Sequence, residues 1–327
     1  MKLLKKWDDK KQMTSLTEND RKNIPLIIVA GPTASGKTSI AVKLARLFNG
    51  EIVGADSMQI YRSMNIGTAT PAAEELDGVK HHMLDIVNPD EEYDGARFVE
   101  DADRVIDDII NRGKRVIVAG GTGMYIRLLL KGMHNAPAPD PEIRAELLKK
   151  ANNFGWPELH KELVQKDKIS AQKLHPNDGV RIIRALEVLY QTGIPMSQWQ
   201  KEHNFASNRY NFKMLGVLRD KETLNERINF RVKQMIKDGF VEEVKELLDN
   251  GYSKNLKPMQ ALGYKRVVQY IYGDMNLEDA LTDTMTDTRR FAKRQRTWFR
   301  KEPLTWLESE EDFIKETDTF FKNPNNS

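Results

Sequence analysis

Apolar residues in this chain fall in short runs that alternate with stretches of helical period. Leu26-Ile27-Ile28-Val29-Ala30 is an unbroken, largely β-branched run, the pattern of a parallel strand buried on both faces. A glycine-rich turn and a helical stretch over residues 39–48 follow, and Glu51-Ile52-Val53-Gly54-Ala55 reads as a second strand. Asp94 is placed to cap a helix that carries Phe98, Val105, Ile106, Ile109 and Ile110 and stops at Gly113. Arg115-Val116-Ile117-Val118-Ala119 forms a further strand, closed by Gly120-Gly121-Thr122-Gly123. Such alternation predicts an α/β fold, a parallel sheet wrapped by helices.

The rhythm breaks between residues 133 and 206. Pro137, Pro139 and Pro141 mark a linker, and the segment beyond it is helical, including 177–190, with Gly193-Ile194-Pro195 as a stop. Strand character returns at 212–218, and helical period runs from Lys221 to about Lys301. The expected organisation is a polar tail at 1–23 (Met13 offers an alternative start), a core of 24–132 and 207–327, and a helical insertion at 133–206. No internal repeat is visible.

Composition narrows the function classes. Hydrophobic residues make up 39 % and charged residues 30 % of the 327, ordinary values for a globular chain. No apolar run is long enough for a membrane span, and the charged N-terminus does not read as a secretory signal. There is no cysteine, so thiol chemistry and disulfides are excluded and a reducing cytoplasm is the expected compartment. The net charge is only +3, so any nucleic-acid surface must arise from local clustering.

Gly31-Pro32-Thr33-Ala34-Ser35-Gly36-Lys37-Thr38 fits G-x-x-x-x-G-K-[ST] between a predicted strand and a predicted helix, the context that defines a P-loop. Backbone N–H groups there converge on anionic oxygens, Lys37 adds a point charge, and the Thr38 hydroxyl suits Mg²⁺. The bound phosphate belongs either to a nucleotide or to another diphosphate ester. Asp56, ending the second strand, faces the crevice at the carboxyl edge of the sheet, as a metal or water ligand, as a general base, or as a turn residue. The strand at 115–119 ends in glycines where an ATPase wants an acid, and Thr122 lies in that turn. Arg227 and Arg231, four apart on a helix, either clamp a leaving diphosphate or lie on a solvated face with Glu222 and Glu226.

The stretch from Arg289 to Lys301 holds seven basic residues and no acidic one. On a helix, Arg289, Lys293, Arg296 and Arg300 form one stripe, while Phe291 and Trp298 fall on another face and are expected to pack. The stripe suits a phosphate backbone. The adjacent His81-His82 should point to opposite faces and reads as structural.

Several of these segments together resemble the tRNA dimethylallyltransferases, also called tRNA isopentenyltransferases: GPTASGKT at 31–38, DSMQIY at 56–61, GTATP at 67–71 and HMLD at 82–85. Gly120-Gly121-Thr122 with Tyr125 follow, then His175 to Asp178 with Arg181, Arg184, Ala185 and Leu186. Arg227 with Arg231, Gly263-Tyr264 and Lys293-Arg294-Gln295 complete the set. They run in order from about residue 24 to 307, and the zinc finger of eukaryotic members is absent, as in a bacterial type.

The resemblance implies a P-loop NTPase-like fold whose loop, through Gly31, Thr33, Ala34, Ser35, Gly36, Lys37 and Thr38, holds dimethylallyl diphosphate. It implies Asp56 as general base for the exocyclic N6 amine of the adenosine 3′ of the anticodon, at tRNA position 37. Thr122 would lie beside the reacting centre, and Lys37, Arg227 and Arg231 would neutralise the departing diphosphate, with Mg²⁺ at Thr38. The anticodon stem-loop would be met by Asp56, Ser57, Met58 and Gln59, by Arg181 and Arg184 of the insertion, by Gln260, Gly263, Tyr264 and Lys265, and by Arg289, Lys293, Arg294 and Arg296. A cytoplasmic monomer with no membrane contact is expected. The rival classes are a small-molecule kinase, a non-catalytic RNA-binding module and a prenyltransferase of free adenine nucleotides.

Overall fold

A computed structural model of the chain describes residues 17–203 and 207–324. Among these, six parallel strands form one sheet: β1 (Pro25–Ala30), β2 (Gly50–Gly54), β3 (His81–His82), β4 (Arg115–Gly120), β5 (Asn211–Val217) and β6 (Leu304–Leu307), ordered β3-β2-β4-β1-β5-β6. At the centre Ile28 pairs with Val118 on one side and Met214 on the other. β1 is buried on both faces because its side chains alternate between two cores. Leu26 and Ile28 join Phe98, Val116 and Phe299, while Ile27 and Val29 join Leu44, Ile117 and Phe313.

Two of the elements that were not anticipated lie at the C-terminal end. β6 is a four-residue edge strand with half-buried side chains, too short for a period to register, and the Glu310–Lys322 helix that follows packs Phe313 and Phe320 on the sheet. The helical stretch beyond Lys221 divides into Lys221–Lys237, Phe240–Asp249, Tyr264–Ile271 and Leu277–Phe299. His81 and His82 lie on opposite faces of β3. His82 Nε2 is 2.7 Å from Glu51 Oε2, and His81 Nδ1 is 3.0 Å from the Val79 carbonyl.

The chain forms two compact units, Lys131–Ser207 and the remainder. Among its described residues the first is helical. Leu147, Leu159, Leu163, Ile182 and Leu186 form its core, and Asp140 and Asp178 cap two of its helices. Inside it Glu187, wholly buried, accepts hydrogen bonds from the Asp140 N–H (3.0 Å), Arg144 (3.1 Å) and Arg184 (3.0 Å).

The polar-tail expectation is corrected in part. Residues 1–16 lie outside the described residues, but Thr17 caps a short helix, Glu18–Arg21, in a reciprocal capping box with Asp20. Arg21 then reaches Asp103 (3.0 Å) and Asp107 (2.9 Å) on the Gly95–Asn111 helix. Asp103 also pairs with Arg209 (2.5 Å) and accepts from the Tyr210 hydroxyl (2.7 Å), while the Arg209 N–H donates to the Leu130 carbonyl (2.8 Å). Burial first, then Asp103, holds the Tyr210 phenol above its usual pKa. Asp103→Ala leaves Arg209 and Arg21 without this shared counter-ion, and is expected to lower the unfolding free energy by roughly 3 kcal/mol in urea titration.

Candidate active site

The carboxyl ends of β1, β2 and β4 meet at one sheet edge, where such folds bind ligands. β1 runs into the P-loop, whose Ala34 (φ 62°) and Gly36 (φ 95°) are both left-handed, the geometry that turns successive N–H groups toward one concavity. Only Gly36 adopts this without strain. The Lys37–Leu47 helix then starts, two residues earlier than its apolar period suggested, and directs its N-terminal amides at the same place.

A cavity of about 1100 Å³ opens there. Thr33, Ala34, Gly36, Lys37 and Thr38 line one side, whereas Gly31 and Ser35 are buried behind it and do not. The Ser35 N–H donates within the turn to the Pro32 carbonyl (3.3 Å).

Arg227 and Arg231 project from the Lys221–Lys237 helix over the loop. Arg227 Nε donates to the Ala34 carbonyl (2.7 Å) and Arg231 Nη1 to Thr33 Oγ1 (3.4 Å). Both arginines line the cavity, Arg231 half-buried and Arg227 exposed, with Glu226 on the same lining. Burial, opposed by Asp56 and reinforced by Arg231, lowers the Lys37 ammonium to a pKa of about 8. Burial and Arg227 likewise push the Arg231 guanidinium down.

Asp56 lines the same cavity. Its Oδ1 accepts from the Met58 N–H (2.9 Å), which shapes the turn after β2. Thr122 does not line the cavity. Its Oγ1 accepts from the Ser57 N–H (3.0 Å) and its N–H donates to the Ala55 carbonyl (3.1 Å), so it props the turn that carries Asp56. Gln295 was absent from the expected site residues. It is buried, takes the Thr33 N–H on Oε1 (2.8 Å) and donates from Nε2 to the Gly121 carbonyl (2.8 Å), tying the P-loop to the glycine turn. In the sequence it stood out only as the last residue of the Lys293-Arg294-Gln295 segment.

This chain matches the IPP transferase family over residues 59–302. It is 49 % identical over 289 residues to a tRNA dimethylallyltransferase of Geobacter sulfurreducens, covering 88 % of this chain and 93 % of that one. The chain belongs to the tRNA dimethylallyltransferase family. Among solved structures, it resembles the full-length tRNA isopentenylpyrophosphate transferase of Bacillus halodurans (37 % identity, TM-score 0.67, covering 93 % of this chain and 96 % of that). It also resembles a eukaryotic dimethylallyltransferase captured acting on tRNA (28 % identity, TM-score 0.80, covering 92 % and 80 %). The P-loop NTPase-like sheet is the one these relatives share.

Several motif residues of this dimethylallyltransferase-family chain are buried or paired within the protein. Tyr264 and Gly263 are buried, and the Tyr264 hydroxyl donates to Glu243 Oε1 (2.6 Å). Arg184 is held by Glu187 and the Pro137 carbonyl, whereas Arg181, paired with Asp178 (3.3 Å), is exposed. Gln260 and Lys265 are exposed, and Gln260 Nε2 donates to the Lys254 carbonyl (2.7 Å). On the Leu277–Phe299 helix Arg289 is engaged by Asn229 (2.7 Å) and Thr286 (2.9 Å).

That helix buries Ala292, Gln295 and Phe299, and the half-buried Trp298 packs against the core as expected. Its outward cations Lys293 and Arg294 border a depression of about 360 Å³ with Lys301 and Arg127, the latter stacked 4.3 Å over Trp298. Arg296 is half-buried beside them.

The Lys37 pKa carries a pH dependence. The ammonium is charged below about 8 and neutral above it, so pyrophosphate affinity is expected to fall as pH rises from 7 to 9. The slope of log Kd against pH, measured by calorimetry, should be steeper in the native protein than in Lys37→Met, where the ligand's own titration is all that remains.

Proposed function

We propose that this chain transfers a dimethylallyl group from dimethylallyl diphosphate to N6 of the adenosine 3′ of the anticodon, tRNA position 37, as a monomer in the cytoplasm. The observation that carries the reading is the cavity itself. One wall is a loop of amides with Lys37, Arg227 and Arg231, and Asp56 borders the same space. Names and folds of the relatives support the same reaction.

In this reading the allylic C–O bond breaks, and the bonding pair leaves on the diphosphate. Lys37, Arg227, Arg231 and the loop amides stabilise the charge that grows there. The adenine amine attacks the allylic carbon, forming the N6–C bond, and its proton passes to the Asp56 carboxylate. Thr122 acts through the turn it supports, keeping Asp56 aimed. Because the amine is shielded in a stacked loop, the adenosine must flip out to enter the cavity.

Thr38 and Asp56 offer hard oxygen donors beside the loop, and among the described residues no cluster of three or more acidic or histidine side chains could enclose an ion. That donor set fits Mg²⁺, which keeps several waters and leans on substrate phosphates. Thr38 would hold it, and when bound it would neutralise diphosphate charge. No helix among the described residues is long and apolar enough to cross a membrane, in keeping with tRNA as the partner.

Incubation with labelled dimethylallyl diphosphate and unmodified tRNA should place the label on that one adenosine; label elsewhere, or none, refutes the assignment. Asp56→Ala should slow turnover about 10²- to 10⁴-fold in single-turnover assays with tRNA affinity nearly unchanged. Neutralising Lys293, Arg294 and Lys301 together should weaken tRNA binding and reduce the slope of log K against log salt by about three in filter-binding titrations.

A further inference from the structure

Residues 65–72 build one side of the cavity, and this wall is held from outside. Asn65, Ile66, Thr68 and Ala69 line the cavity. Three successive backbone N–H groups of this segment converge on one carboxylate. Asn65 and Ile66 donate to Glu243 Oε2 (2.8 and 2.6 Å), and Gly67 donates to Oε1 (3.1 Å). The Tyr264 hydroxyl supplies a fourth donor, to Oε1 at 2.6 Å. Neither Glu243 nor Tyr264 lines the cavity.

The rings of Phe240 and Tyr264 pack so closely on Gly67 that any Cβ there would collide with both. From the opposite side Gln59 Nε2 donates to the Thr68 and Ala69 carbonyls (3.3 and 2.9 Å). The wall is thus fixed on one side to the turn that follows Asp56 and on the other to the Phe240–Asp249 helix.

Ionised Glu243 is an acceptor only, and four donors saturate its two oxygens. An amide in its place would turn an NH₂ toward groups that themselves donate, leaving N–H groups unpaired and displacing the wall. What that wall faces decides the consequence. Ile66 shares the cavity with the apolar side chains of Leu84, Phe230 and Met235. A prenyl tail whose diphosphate sits on the loop would lie against these residues.

We propose that Glu243 is a positioning residue that sets the length of prenyl tail the cavity accepts, acting through the 65–70 backbone; this rests on the donor assignment proposed above. A wall tied at three consecutive amides cannot drift outward to admit a longer chain, whereas one held by Gln59 and the packing on Gly67 can yield.

The test compares kcat/KM for dimethylallyl and geranyl diphosphate at saturating unmodified tRNA in the native protein, Glu243→Gln and Tyr264→Phe. The preference for the shorter donor is expected to fall about tenfold in Glu243→Gln and by less, in the same direction, in Tyr264→Phe. Pyrophosphate affinity by calorimetry should stay as in the native protein. Equal loss on both donors with the preference intact would make Glu243 merely structural and overturn the inference. If Glu243→Gln does not fold, an unchanged preference in Tyr264→Phe overturns it alone. A native protein that uses neither donor refutes the donor assignment itself, a failure visible before any variant is compared.

Discussion

Buried cations held close together are the constraint on which this site depends. Burial disfavours the charged forms of Lys37 and Arg231, Arg231 adds to the effect on Lys37, and Arg227 to that on Arg231. Asp56 offsets part of that repulsion from across the cavity. The arrangement persists because its members stand on separate, rigid supports. The loop is fixed by the strand that feeds it and by Gln295, the arginines by a helix whose Leu224, Ile228 and Val232 are buried, and Asp56 by the turn that Thr122 holds. A multiply charged anion such as a diphosphate relieves the repulsion at once.

This also explains why Asp56 can serve two ends. As a fixed negative charge it steadies the cations before the donor arrives. In the proposed reaction the same carboxylate takes a proton from an amine, and the departing diphosphate then supplies the negative charge that the carboxylate has given up. Charge thus stays balanced within one cavity throughout the step.

The sheet and the P-loop were legible because each rests on a local signal, a β-branched run or a glycine-bounded motif. β6 and the last helix were not, since a four-residue edge strand carries no period and the helix declares itself only where Phe313 and Phe320 meet the sheet. Motif residues could be recognised, but the direction of a side chain could not. Tyr264, Arg184 and Arg289 read as RNA contacts and prove to be engaged with Glu243, Glu187 and Asn229. Gln295 and Glu243 are the converse: their partners lie far off in sequence, at Thr33, Gly121 and residues 65–67, and no pattern of spacing announces contacts at that separation.

The hydrogen bond between the Arg209 N–H and the Leu130 carbonyl joins the last residue before the helical unit to one of the first after it. The chain therefore leaves the sheet-bearing unit and re-enters it at hydrogen-bonded neighbours, so a change of length between them need not alter strand order.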